Sequence, residues 1–213
     1  MTFYGYFRSS AAYRCRIAFN LKGLAPPLAP IHLRRGEQRA DAFRAVNPQA
    51  LVPALVADGT ILTQSLAIIE WLEETHPEPP LLPKDKAARA RARAFALAIC
   101  CDIHPLQNLR VLDYLKRELG ADQAALDAWC RRWIGDGLAA CEALLARERE
   151  APFAFGDGPG IAEICLIPQM FSADRFGVDL SGMPRLRRLR AACEALPAFA
   201  DAHPARQPDA EAA

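Results

Sequence analysis

Before residue 80 the spacing of apolar positions switches repeatedly between extended and helical; beyond it only the helical spacing persists. Phe3, Tyr4, Tyr6 and Phe7 make an aromatic, strand-prone opening. From Ala11 to Lys22 the run is helix-forming, and Gly23 supplies a stop. Tyr13, Ile17, Ala18 and Leu21 fill one broad face of that helix, while Cys15 and Phe19 fall on another. A helix without a clean polar face is normally buried between layers. Leu28 to Leu33 reads as a short extended segment whose prolines disfavour a central ladder position, and Asp41 to Val46 as a short helix. Two apolar runs flank Asp58-Gly59, a good hairpin signal. A helix then opens at Gln64-Ser65, with Leu66, Ile69 and Leu72 on one face. The predicted order is β-α-β-α-β-β-α.

Residues Pro77 to Lys86 (PEPPLLPKDK) form a proline-rich connector, which divides the chain into units at 1–80 and 87–213. The second unit is expected to be all helical. Ala87 to Leu119 reads as a long helix broken at Pro105, Ala121 to Glu150 as another, and Ile161 to Phe171 and Leu186 to Leu196 complete it. The Pro/Ala/Asp-rich tail from Pro204 is expected to be loosely held.

Composition narrows the partners. A length of 213 residues allows one or two domains with ample core. Lys+Arg 26 against Asp+Glu 25 leaves a net charge of +1, so no bulk field favours nucleic acid or a membrane surface. Arg8 interrupts the first apolar stretch, and neither a signal pattern nor a spanning run is expected, which points to the cytoplasm. The seven cysteines (15, 100, 101, 130, 141, 165 and 193) are odd in number and lack a C-x-x-C pair, so they read as reduced core residues. The four histidines (32, 76, 104 and 203) are scattered, and no metal site is expected.

Candidate chemistry gathers at the helix starts. Arg8 precedes two adjacent hydroxyls, Ser9 and Ser10, more than one cap needs. A helix N-terminus with a free hydroxyl and a nearby cation suits an anion. Gln64-Ser65 opens a second helix in the same manner, and at both places an ordinary cap is the competing reading. Between Cys101 and Leu112, CDIHPLQNLRVL sets His104 and Asn108 at i and i+4 on one face. Arg110 lies round the helix from both unless Pro105 distorts it. Gly160-Ile161-Ala162-Glu163 sits at a capping-box position but lacks the hydroxyl, which predicts a weaker helix start.

The run SSAAYRCRIAFNLKG from Ser9 to Gly23 resembles the signature of the zeta-class glutathione transferases, the maleylacetoacetate and maleylpyruvate isomerases. The common form is Ser-Ser/Thr, a variable residue that is often Cys, then R-x-R-I-A-L. Here Ala11 stands at the often-Cys position, Cys15 inside R-x-R, and Phe19 for Leu. The resemblance runs from about Phe3 to Pro208, with the motifs in family order. It implies the glutathione transferase fold, an α/β thioredoxin-like N-terminal domain followed by an all-α domain, in a homodimer. It also implies glutathione as cofactor, held by Ser9, Ser10, Ala11, Gln38, Val52, Pro53, Gln64, Ser65, His104, Asn108 and Arg110, with a cis Val52-Pro53 bond.

Thioredoxin-like modules that act on disulfides carry a cysteine pair near the start of the first helix, whereas Ser9-Ser10-Ala11-Ala12 supplies no thiol. A hydroxyl at a helix N-terminus instead suits a bound thiolate, and a free thiol pKa of about 8.5 falls by a unit or more in such surroundings. Ser9 is the expected donor to sulfur, with Ser10 assisting. The reaction implied is reversible addition to a cis double bond conjugated to a carbonyl, rotation, and elimination. Its dicarboxylate substrate calls for separated cations, and Arg8, Arg110 and Arg175 (in SADRFGVDL) stand at family-like positions. Maleylacetoacetate to fumarylacetoacetate is the leading reaction. The maleylpyruvate reaction and general glutathione conjugation are the alternatives. A non-catalytic module is opposed by the retained Ser9 hydroxyl and Gln64-Ser65 pair.

Overall fold

A computed structural model describes residues 1–211. They fall into two compact units, one made of residues 1–81 with those from Glu194 onward, the other of residues 82–193. The C-terminal segment thus groups with the first unit, unlike the expected 87–213 division.

In the first unit the strands β1 (Thr2–Gly5), β2 (Leu28–Pro30), β3 (Ala54–Ala57) and β4 (Thr60–Thr63) form one sheet in the order β2-β1-β3-β4. β1 pairs parallel with β2, Phe3 opposite Leu28, and antiparallel with β3, Tyr4 opposite Ala54. β2 lies at the edge, where Pro30 costs no central ladder bond. The β3–β4 hairpin turns at Asp58 and Gly59, whose φ values of 51° and 79° are what a tight two-residue turn demands. Helix α1 (Ser10–Leu21) ends before Gly23, which takes φ 67°. The short α2 (Asp41–Arg44) and then α3 (Ser65–Thr75) follow. α1 packs against α3, and Phe3, Ile17, Phe19, Leu55, Ile68 and Leu72 are buried in the core.

As far as Glu211, the tail is not loose. Helix α9 (Pro197–Ala202) packs on α1, where Asn20 Nδ2 donates to Ala198 O at 2.9 Å and Arg16 Nε to Ala202 O at 3.0 Å. Further on, Asp209 Oδ2 accepts the Phe7 N–H at 2.8 Å, and Glu211 lies 2.7 Å from His32 Nε2. Ala210 packs on a cluster of Tyr6, Phe7, Phe43 and Val52. A polar tail can be ordered when its few polar groups meet matching ones elsewhere in the chain.

The second unit contains α4 (Lys86–Leu97), α5 (Leu109–Glu118), α6 (Gln123–Leu145), α7 (Ile161–Arg175) and α8 (Pro184–Glu194). Between α4 and α5 the chain runs as a π-helix over Ala98–Ile103 and a 3-10 turn over His104–Gln107. Gly137 on α6 admits this segment: a Cβ there would collide with the Ile103 side chain. No described helix is long and apolar enough to cross a membrane.

Glu163 answers the missing hydroxyl at Gly160. Its two oxygens accept Gly160 N–H at 2.9 Å and Ala154 N–H at 2.6 Å, so one carboxylate ties the helix start to the preceding loop. Burial raises the Glu163 pKa above the usual 4.5, with the backbone donors opposing. A carboxyl raised in the folded chain contributes stability that is full below its unfolded value and lost as pH rises through the folded one. Glu163→Ala, which orphans two donors, is expected to cost about 2–4 kcal/mol in urea unfolding. The stability of the wild type relative to Glu163→Gln is expected to fall as pH rises above 4.5. A difference that grew with pH would contradict the raised value.

Candidate active site

Ser9 is the N-cap of α1, with φ −70° and ψ 117°, and its Oγ accepts the Ala12 N–H at 3.2 Å. The cap occupies one lone pair of a group that has two, plus a hydrogen to donate. Capping and donation outward are therefore compatible in one residue. Arg8, Ser9 and Ala11 are half-buried, and Ser10 is buried. Cys15, the nearest cysteine in sequence, is fully buried.

The loop from β1 to α1 is fixed by charged side chains. Ser9 N–H donates to Tyr6 O at 3.0 Å, and Arg16 Nη2 donates to Phe7 O at 2.9 Å. Burial lowers the Arg16 pKa to about 10, with Asp209 acting in the opposite direction. The Arg8 guanidinium sits 5.9 Å from the Phe7 ring centroid. The Val52–Pro53 peptide is cis and stands just ahead of β3. Gln38 is buried, and its Oε1 meets no donor among the described residues.

At the start of α3, Gln64 takes φ 69° and ψ 122°, a left-handed-side conformation that favours glycine. Such a residue costs on the order of 1–3 kcal/mol and is concentrated at functional sites. Its Nε2 donates to Gln49 Oε1 at 3.0 Å. Ser65 is buried, and its Oγ accepts from Arg14 Nη1 at 3.2 Å. Arg14 is 2 % exposed, and its Nε and Nη2 are buried without a hydrogen-bond partner among the described residues.

Sequence reasoning missed Arg14. The signal was present: an arginine embedded in a helix with no polar face is a buried cation in search of an anion.

In the second unit the expected shared face of His104 and Asn108 is not formed. Those residues do not lie on one α-helix, because Pro105 lacks an N–H and the chain leaves helical geometry at Asn108 (φ −67°, ψ 143°). Asn108 instead caps α5, its Oδ1 accepting Arg110 N–H at 3.1 Å, which sets Arg110 in the first turn. Gln107 Nε2 donates to Gln169 Oε1 at 2.8 Å, which ties this turn to α7. Arg110 and Arg175 are exposed, and Arg175 ends α7 with its guanidinium 4.9 Å from the Phe176 ring centroid. A cavity of about 500 Å³ lined by Glu148, Arg149, Arg185 and Arg188, among others, contains none of the expected residues.

A mixed four-stranded sheet with flanking helices, followed by a helical unit, is the glutathione S-transferase fold. Residues 3–80 match the family model for the glutathione S-transferase N-terminal domain. Maleylacetoacetate isomerase of Pseudomonas aeruginosa is 49 % identical over 100 % of both chains. A solved bacterial maleylpyruvate isomerase, a zeta-class transferase, is 50 % identical over 99 % of this chain and 100 % of its own, with a TM-score of 0.97. The maleylacetoacetate isomerase of Methylobacterium extorquens AM1, solved with malonate and glutathione bound, is 42 % identical over 100 % of both chains, with a TM-score of 0.96. The chain belongs to this zeta-class family of maleylacetoacetate and maleylpyruvate isomerases.

Proposed function

We propose that the protein is a glutathione-dependent cis–trans isomerase that converts maleylacetoacetate to fumarylacetoacetate. The observation that carries the reading is the serine-capped N-terminus of α1, which presents a hydroxyl where Ser9 to Ala12 hold no thiol. The surrounding residues suit a charged tripeptide with peptide N–H groups: Gln38 Oε1 meets no donor among the described residues, Gln64 is strained, and a buried cation stands behind Ser65. Malonate, a small dicarboxylate, is bound with glutathione in the M. extorquens relative, in keeping with a dicarboxylate substrate.

Glutathione, when bound, supplies a thiol for reversible addition to the activated cis double bond and is returned unconsumed. Ser9 Oγ–H donates to the sulfur and, with the N-terminal dipole of α1, favours its anion. Ser10 and Ala11 contribute first-turn N–H groups directed the same way. Ser65 and Gln64 hold the γ-glutamyl end at the start of α3, with Arg14 behind Ser65. The Val52 backbone pairs with the peptide, and Pro53 and Gln38 complete that surface. His104 and Asn108 add polar contacts, and Arg8, Arg110 and Arg175 bind the substrate carboxylates. The reading extends to a cytoplasmic homodimer, as the family resemblance implies, and sedimentation equilibrium tests the oligomeric state.

Isomerase activity is expected to be absent without glutathione and restored by catalytic amounts, with total free thiol unchanged through turnover. Assay of maleylacetoacetate beside maleylpyruvate then sets the preferred substrate. Stoichiometric thiol loss would show conjugation instead and overturn the reading.

A further inference from the structure

The loop that carries Ser9 is tied to a segment from the far end of the chain. Within residues 6–9, Ser9 N–H donates to Tyr6 O at 3.0 Å. The peptide groups on either side of Phe7 are held from outside. Its N–H donates to Asp209 Oδ2 at 2.8 Å, across a separation of 202 residues, and its C=O accepts from Arg16 Nη2 at 2.9 Å. Arg16 also donates to Ala202 O, so the same guanidinium engages the loop and the segment that delivers Asp209. Phe7 is 5 % exposed, so water cannot readily replace a lost acceptor. Ala210, next to Asp209, packs on the cluster formed by Tyr6, Phe7, Phe43 and Val52.

We propose that Asp209 is a positioning residue for catalysis, acting through Phe7 to fix the loop that places the Ser9 hydroxyl. The inference rests on the reading of Ser9 as the donor to sulfur. A charge-assisted bond to a backbone N–H is short and directional, which suits a fixing role. Placement matters because a displacement of about 1 Å at a reacting centre can cost on the order of a hundredfold in rate. Asp209 follows α9, so its position depends on the segment from α9 being seated on α1.

The test compares Asp209→Ala, Asp209→Asn and Ser9→Ala in the full-length protein by steady-state kinetics. Asp209→Ala is expected to lower kcat by about tenfold or more with KM for glutathione within about threefold. Asp209→Asn keeps an acceptor oxygen for Phe7 and is expected to recover kcat to within about threefold of wild type. An alanine variant with wild-type kcat beside a slow Ser9→Ala overturns the Asp209 role alone, and so does an asparagine variant as slow as the alanine one. A fully active Ser9→Ala overturns the reading of Ser9 and this inference with it. Should Asp209→Ala fail to fold, hydrogen exchange on the wild type still decides: a slowly exchanging Phe7 amide supports the bond, and rapid exchange overturns it.

Discussion

Ser9→Ala is expected to lower turnover by roughly one to three decades, the range seen when one preorganised donor to a developing charge is removed. Two separate losses are involved, and they have different readouts. The cap to Ala12 N–H disappears, which costs about 1 kcal/mol of stability and lowers the melting temperature modestly. The proposed donor to sulfur disappears too, which is expected to lower kcat without a matching loss of glutathione affinity, because in the proposed site Val52, Gln64 and Ser65 hold the rest of the tripeptide. Saturating glutathione with varied substrate separates the two. Ser10→Ala is the control, since Ser10 is buried on the first turn of the helix. An active Ser9→Ala with an inactive Ser10→Ala would transfer the donor role to Ser10.

Arg14→Met is expected to raise KM for glutathione roughly 10- to 150-fold, the equivalent of about 1.5–3 kcal/mol for a lost charge-assisted interaction. At saturating glutathione, kcat is expected to stay within about threefold. Methionine is unbranched and adapts to the space an arginine stem leaves. The free protein is expected to be as stable as the wild type or more so, because a buried cation with a single recorded hydrogen bond is costly to keep. A variant that is sturdier without ligand and gains less from added ligand is the signature of a charge retained for binding. An unchanged KM would show that Arg14 serves packing alone.

Both expectations draw on features of unequal legibility. Asp58-Gly59 announced its turn, because a tight hairpin needs two left-handed residues and that dipeptide supplies them. Gly23 announced the end of α1 for the same reason. Ser9 was legible as a cap because the interaction spans three residues. The chain around His104 was not. Spacing at i and i+4 has meaning only on an unbroken helix, and the π and 3-10 geometry is maintained in part by Gly137 on another helix. The backbone conformation of Gln64 was not legible either, since a positive φ at a non-glycine residue is imposed by its surroundings. The tail from Pro204 reads as loose by composition, yet its partner Phe7 stands 202 positions away. Long-range bonds to a backbone N–H leave no local trace.

The half-buried Ala11 on the first turn of α1 bears on how long such an enzyme survives its own chemistry. Substrates with a double bond conjugated to a carbonyl are electrophiles that alkylate any accessible thiolate, irrespective of its owner. A cysteine at a helix N-terminus would be ionised at neutral pH and among the first groups in the protein to be modified. With a methyl group in that place, and Cys15 fully buried one turn further on, the sulfur best placed to meet the electrophile is the exchangeable one. Damage then falls on a small molecule that the cell replaces, and the polypeptide is spared suicide inactivation at this position.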